Sequence, residues 1–136
     1  MYRFNATTQQ WTPRASFTGQ GREAAAAFVL DGTVYYGTGQ KQFTTAFNDM
    51  YAYDPDGNSW SPAGSFPGTP RGWTGSCSTG DRAFIGMGWD LGALLFSDWW
   101  EFTPATGISE ESAPVFTLQP NPAHDRITLS LPTGFT

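Results

Sequence analysis

Short runs of alternating apolar and polar residues, separated by turn-forming residues, extend along most of the chain. The clearest group predicts four strands, at residues 23–30, 33–37, 50–53 and 59–61. Asp31-Gly32 is a strong signal for a tight turn between the first two strands, and residues 54–58 predict a second turn before the fourth. This group indicates a four-stranded antiparallel sheet.

The same pattern recurs after 49 residues without gaps. The identical pairs include Trp11 and Trp60, Phe17 and Phe66, Arg22 and Arg71, Gly37 and Gly86, Gly39 and Gly88, Phe47 and Phe96, and Asp49 and Asp98. A repeat of this length is typical of a supersecondary unit that buries its apolar face by stacking on its neighbours. The chain is therefore predicted to be an array of such units.

One segment carries conflicting local signals. Residues 22–27 include a run of alanines and would favour a helix on propensity alone. The equivalent segment of the next unit, residues 72–78, is rich in glycine and serine and has no such propensity. Because both segments occupy the same place in the repeat, we predict a strand in each.

The motifs within one unit indicate its type. They are Arg22, Asp31-Gly32, the aromatic strand 35–39 with its two glycines, the segment 48–55, and Trp60. This set resembles the kelch repeat, and the resemblance extends over about residues 1–107. It implies an all-β fold: a partial kelch-type β-propeller of four-stranded antiparallel blades, with about two and a half blades within residues 1–109.

The repeat also predicts how the chain divides into blades. One complete blade is expected at residues 22–62, the outer two strands of a preceding blade at 1–13, and most of a following blade at 71–107. Propellers close with about 4–8 blades, so this number does not complete a ring. We expect the chain to belong to a longer polypeptide, with self-association to complete a propeller as the alternative.

The end of the chain departs from the repeat. Residues 110–114 are predicted to be a linker, and residues 115–136 to form two strands around a turn. The turn contains Pro120, Asn121, Pro122, Ala123 and Asp125. These residues resemble the start of the C-terminal sorting domain of type IX secretion substrates. The resemblance implies a bacterial protein that is secreted or attached to the outer membrane at the cell surface, with the secretion machinery as a partner of this segment.

Composition narrows the classes of function. The net charge is −5 and the Lys and Arg residues are scattered, which argues against nucleic acid or an anionic membrane surface as a partner. No apolar run approaches the roughly 20 residues that a membrane span needs. Cys77 is the only cysteine, so the chain has neither an intrachain disulfide nor a thiolate metal cluster. We predict no metal and no cofactor.

Several reactive residues are present but form no catalytic pattern. Asp54, Asp56 and Asn58 have calcium-loop spacing, yet the glycine is misplaced and the twelfth position lacks an acid, so a hairpin turn is the better interpretation. His124 has no nucleophile or further metal ligand arranged around it in the sequence. Cys77 is predicted to be a buried, inert thiol on an inner strand. No catalytic residue is assigned.

The positions that repeat are predicted to be structural. Arg22 and Asp49 recur as Arg71 and Asp98, and we expect these side chains to bind loop backbone and neighbouring blades. A residue that recognises a ligand would more often be unique to one blade. The loops that do not repeat are therefore the better candidates for recognition.

Two such loops, residues 40–47 and 89–95, occupy equivalent places in successive units but differ in character. In a propeller both would emerge on one face, near the mouth of the channel. Phe43, Trp73 and Trp89 are the predicted ligand-binding residues, because their rings can stack on a sugar or on a peptide side chain. The alternative is that these rings pack beneath the next blade.

Three hypotheses for function follow. The first is a non-catalytic binding or scaffold module of a secreted or cell-surface propeller protein, with a protein or a glycan as its ligand. The second is part of a propeller enzyme that acts on carbohydrate, with catalytic residues supplied by other blades. The third is a structural spacer.

Overall fold

The computed structural model describes residues 1–103 and the strand at 115–119. Within these residues all regular structure is β. The strands are β1 (Tyr2–Asn5), β2 (Gln10–Pro13), β3 (Ala26–Leu30), β4 (Thr33–Gly37), β5 (Gln40–Lys41), β6 (Thr45–Ala46), β7 (Asp49–Asp54), β8 (Ser59–Ser65), β9 (Gly75–Ser78), β10 (Ala83–Gly86), β11 (Trp99–Thr103) and β12 (Val115–Gln119).

The strands form three blades, all with antiparallel pairing. The first blade contains β1 and β2, the second contains β3, β4, β7 and β8 in that spatial order, and the third contains β9, β10, β11 and β12. The short hairpin β5–β6 projects from the second blade between β4 and β7. The predicted fold class, all-β with four-stranded antiparallel blades, is confirmed.

The alanine-rich segment forms a strand, as predicted, but the strand begins at Ala26 rather than at residue 23. Ala24 has a left-handed backbone conformation, with φ of 54°. Glu23 pairs with Gln40 in an isolated bridge instead of extending the ladder with β4. The chain therefore turns at Ala24 before it enters the sheet.

The pairing of β12 differs from the division of the chain expected from the sequence. Residues 115–136 were expected to begin a separate unit, whereas β12 (Val115–Gln119) pairs with β11 as the outer strand of the third blade. The physical reason is that β11 would otherwise present an unpaired edge of backbone donors and acceptors. The linker at 110–114 and the sorting motif at 120–125 lie outside the described residues and remain predictions.

The main core lies between the second and third blades. On β3 the residues alternate, so that Ala26, Phe28 and Leu30 are buried while Ala27 and Val29 face solvent. These buried side chains pack against the third blade, where the rings of Phe28 and Phe102 are 5.3 Å apart. A strand period of two thus supplies the apolar face that each blade buries against the next.

The prediction for Cys77 is wrong, because its side chain is exposed. Cys77 occupies the repeat position of Phe28, which is buried against the third blade. The corresponding face of the third blade is not covered by another blade among the described residues. Burial at this position therefore depends on a neighbouring blade and not on the strand itself.

Candidate functional site

The repeated arginine and aspartate form the same partly buried ion pair in two blades. Arg71 donates from Nη1 and Nη2 to the carboxylate of Asp98, at 2.6 and 3.2 Å, and also donates to the carbonyl oxygens of Thr69 and Met87. Arg22 makes the equivalent contacts to Asp49 and to two loop carbonyls. Each guanidinium thus fastens the loops at one end of its own blade.

Aromatic rings enclose these guanidinium groups. The Arg71 guanidinium lies 3.5 Å from the ring centroid of Phe96, and that of Arg22 lies 4.2 Å from the centroid of Phe47. Both arginine side chains are almost completely buried. Because each guanidinium nitrogen donates to a partner within the blade, these residues are structural, as the repeat predicted.

The two carboxyl groups have lowered pKa values. Hydrogen bonding from Arg22 is the main cause for Asp49. For Asp98, burial acts to raise the pKa, but hydrogen bonds from Arg71 and Trp100, together with the positive charge of Arg71, outweigh it. In both cases the charged form is favoured in the folded chain.

This shift predicts a loss of stability in acid. A carboxyl group whose pKa is lower in the folded chain than in the unfolded chain stabilises the fold at pH values above the unfolded pKa of about 3.9. That stabilisation disappears as the pH falls through the folded pKa. Urea unfolding measured from about pH 6 to about pH 2 should therefore show the unfolding free energy falling below about pH 4. The variant Asp98→Asn should be less stable near neutral pH and less sensitive to acid; a pH dependence equal to that of the parent chain would contradict the assignment.

Next to these ion pairs, the second and third blades have the same backbone pairing but carry different side chains. Gln40 pairs with Glu23 through two backbone hydrogen bonds, at 2.8 and 2.9 Å. One repeat later, Trp89 pairs with Gly72 in the same way, at 3.0 and 3.1 Å. The repeated framework thus presents non-repeating side chains at one end of the blades, as expected for recognition positions.

The three predicted ligand-binding residues come together there in an aromatic platform, formed by Phe43, Trp73 and Trp89. The rings of Phe43 and Trp73 are stacked with centroids 5.9 Å apart, and Trp73 meets Trp89 edge to face at 5.1 Å. Phe43 is 65% exposed and Trp73 is 47% exposed. The rings pack against one another across two blades while leaving their outer surface open to solvent.

The backbone that presents the platform is strained. Phe43 and Trp73 have φ values of 55° and 53°, in the left-handed region that bulky residues rarely adopt. Each such residue costs of order 1–3 kcal/mol. Ala24, at the repeat position of Trp73, has the same conformation with φ of 54°, so at Trp73 this backbone belongs to the repeat. Phe43 lies at the tip of the β5–β6 hairpin, where glycine or asparagine would be the usual choice.

The loop that follows Trp89 adds an apolar rim. Leu91, Leu94 and Leu95 are all exposed. The carboxylate of Asp90 accepts hydrogen bonds from the backbone N–H groups of Gly92 and Leu94 and holds the loop in a compact turn. Asp90 therefore shapes this loop.

A shallow cavity of about 250 Å³ lies beside the hairpin that carries Phe43. It is lined by Gly21, Arg22, Glu23, Gln40, Lys41 and Gln42. Sequence reasoning did not single out Gln40. The sequence signal for Gln40 is the difference between the two repeats at this position, where Gln40 in one unit corresponds to Trp89 in the next.

The described residues contain no group of three or more His, Cys, Asp or Glu side chains placed to hold a metal ion. They also contain no helix that is long and apolar enough to cross a bilayer. His124 and the motif residues Pro120, Asn121, Pro122, Ala123 and Asp125 lie outside the described part of the chain.

The fold is similar to that of a solved protein, YjhT. The match has a TM-score of 0.69 at 18% sequence identity and covers 91% of this chain and 44% of YjhT. At this identity the likeness shows the fold alone, which is a kelch-like β-propeller. The chain thus spans less than half the length of this structural neighbour.

A sequence relative is N-acetylneuraminate epimerase of Escherichia coli O9:H4 (strain HS). It is 37% identical to this chain over 58 residues, which are 40% of this chain and 16% of the epimerase. No model of a protein family matches the chain.

Proposed function

We propose that this chain is part of a kelch-like propeller that binds a sugar at the aromatic platform. The observation that carries the proposal is the placement of Phe43, Trp73 and Trp89. These rings stand at non-repeating positions of a repeated backbone and form one solvent-facing cluster. The role proposed is binding, without a catalytic step by the described residues.

A sugar suits this surface better than a charged ligand. One face of a pyranose ring presents C–H groups, which pack against the electron-rich face of an aromatic side chain. Two stacked rings and one perpendicular ring offer such faces at an exposed edge. The relative named for a reaction of N-acetylneuraminate supports a sugar over a peptide as the ligand.

A second candidate function is part of a propeller enzyme that acts on carbohydrate. The similarity to N-acetylneuraminate epimerase favours it. In this case the platform would hold the sugar, and acid–base groups from other blades would carry out the reaction. NMR spectra of N-acetylneuraminate incubated with a protein that includes the other blades distinguish the two candidates, because only the enzyme accelerates conversion of the sugar to an epimer.

We further propose that the parent protein is secreted or attached to the cell surface. This rests on the resemblance of residues 120–125 to a type IX sorting motif. Self-association of the chain to complete a propeller is a related proposal, supported by the two-stranded sheet of β1 and β2 in the described part of the chain. Sedimentation of the purified chain tests it.

The platform predicts a specific effect of Trp73→Ala. Removing this central ring breaks both aromatic contacts, so affinity for the sugar should fall about tenfold or more. The measurement is calorimetric titration with N-acetylneuraminate and with N-acetylglucosamine.

The matched control is Trp11→Ala. Trp11 is also exposed and also packs on one aromatic neighbour, Phe4, but it lies in the first blade. It should bind both sugars like the parent chain. Equal losses in the two variants, or no binding of either sugar by the parent chain, would contradict the proposal.

A further inference from the structure

The side chain of Gln40 is buried without a complete set of partners. Gln40 is 1% exposed, and its Nε2 has no hydrogen-bond partner. Its carboxamide lies against the next blade, where an added Cβ on Gly72 would be 3.3 Å from Cγ and Oε1. Because residue 72 is glycine, there is room beside it for Oε1 of the Gln40 side chain. Nε2 of Gln40 lies farther from Gly72 than Oε1 does.

The fold itself does not require an amide at this position. In the next blade Trp89 makes the same backbone pairing with no amide at all. Buried polar groups in native proteins are almost always paired, and an unpaired one destabilises the folded chain. A buried donor that the scaffold neither uses nor needs indicates a role outside the scaffold.

The surroundings of Gln40 indicate what would pair with it. Gln40 lines the cavity of about 250 Å³ beside the β5–β6 hairpin, and Glu23 and Lys41 are exposed at its rim. Arg22 also lines the cavity, but its side chain is buried, and each guanidinium nitrogen already donates to Asp49 or to a backbone carbonyl. Among these lining groups, Nε2 of Gln40 is the buried donor without a hydrogen-bond partner.

We propose that Gln40 is a ligand-binding residue whose NH₂ donates a hydrogen bond to a hydroxyl or acetamido oxygen of the bound sugar. The inference rests on the proposed sugar-binding function. The platform lies along the same hairpin, so a sugar whose apolar face rests on Phe43 directs its polar edge toward the cavity. The terminal torsion of glutamine is broad, and rotation about it turns the NH₂ into the cavity.

The test is Gln40→Met, which keeps the length of the side chain and removes the unpaired donor. Two effects in opposite directions are expected. Thermal unfolding of the unliganded variant should move upward by about 4 °C, because a buried unpaired group is gone. Affinity for N-acetylglucosamine or N-acetylneuraminate, whichever the parent chain binds, should fall about tenfold, because the sugar oxygen loses its donor.

The matched control is Gln10→Met, an exposed residue on β2 of the first blade that does not line the cavity, which should change neither quantity. Unchanged binding by Gln40→Met, together with a loss in Trp73→Ala, would overturn this inference and leave the platform intact. A lowered unfolding temperature for Gln40→Met would also overturn it, because the amide would then have a structural partner such as a bound water. Absence of sugar binding by the parent chain would overturn the proposed function as well.

Discussion

Arg71→Met is expected to destabilise the folded chain by about 3–5 kcal/mol. The change leaves the carboxylate of Asp98 without its bidentate partner, and the carbonyl oxygens of Thr69 and Met87 without a donor. Typical domains have only about 5–15 kcal/mol of stability, so the variant should be close to unfolding. Urea unfolding followed by tryptophan fluorescence measures the effect.

The chain contains a matched control for this experiment. Arg82 forms an equally well-aligned pair with Glu101, at 2.6 and 2.7 Å, but its side chain is 51% exposed. Exposed pairs contribute little, because water replaces the lost partner. Arg82→Met should therefore unfold close to the parent midpoint; a loss as large as that of Arg71→Met would show that burial does not determine the cost.

Gly86→Ala is expected to destabilise the third blade by about 3 kcal/mol. A Cβ at this position would overlap the carbonyl oxygen of Asp98 and lie 2.8 Å from the Cα of Trp99. Both atoms belong to the backbone of the chain that pairs with β10, so they can move only if β10 and β11 separate. Denaturant unfolding of the purified variant is the measurement.

Gly21→Ala is the control for the glycine substitution. An added Cβ at Gly21 meets no atom within 4 Å. Its stability should be unchanged or slightly higher, because alanine restricts the unfolded chain. If Gly86→Ala were as stable as Gly21→Ala, the close approach of the two strands would not be the reason for glycine in this repeat.

Much of the candidate site could be predicted by comparing the two repeats. Residues that recur, such as Arg71 and Asp98, serve the scaffold, and residues that differ, such as Phe43 and Trp73, were assigned to recognition. The structure brings the predicted aromatic residues into contact. Whether they bind a ligand remains a prediction.

Gln40 could not be recognised from residue type alone. Glutamine is common on surfaces, and nothing in the local sequence indicates burial. Its burial arises because Gly72 of the next blade opens space for the carboxamide. That is a contact between blades, so a local pattern cannot reveal it.

The sequence by itself determined the strands, their turns and the 49-residue repeat, because alternation and turn chemistry are local properties of the chain. It also distinguished scaffold positions from variable ones. Only the tertiary structure decided that Cys77 is exposed, that β12 completes the third blade, and that Gln40 is buried without a partner. Each of these three features depends on which strand or blade packs against the residue in the folded chain. The packing partner is distant in the sequence, so a local pattern does not reveal it.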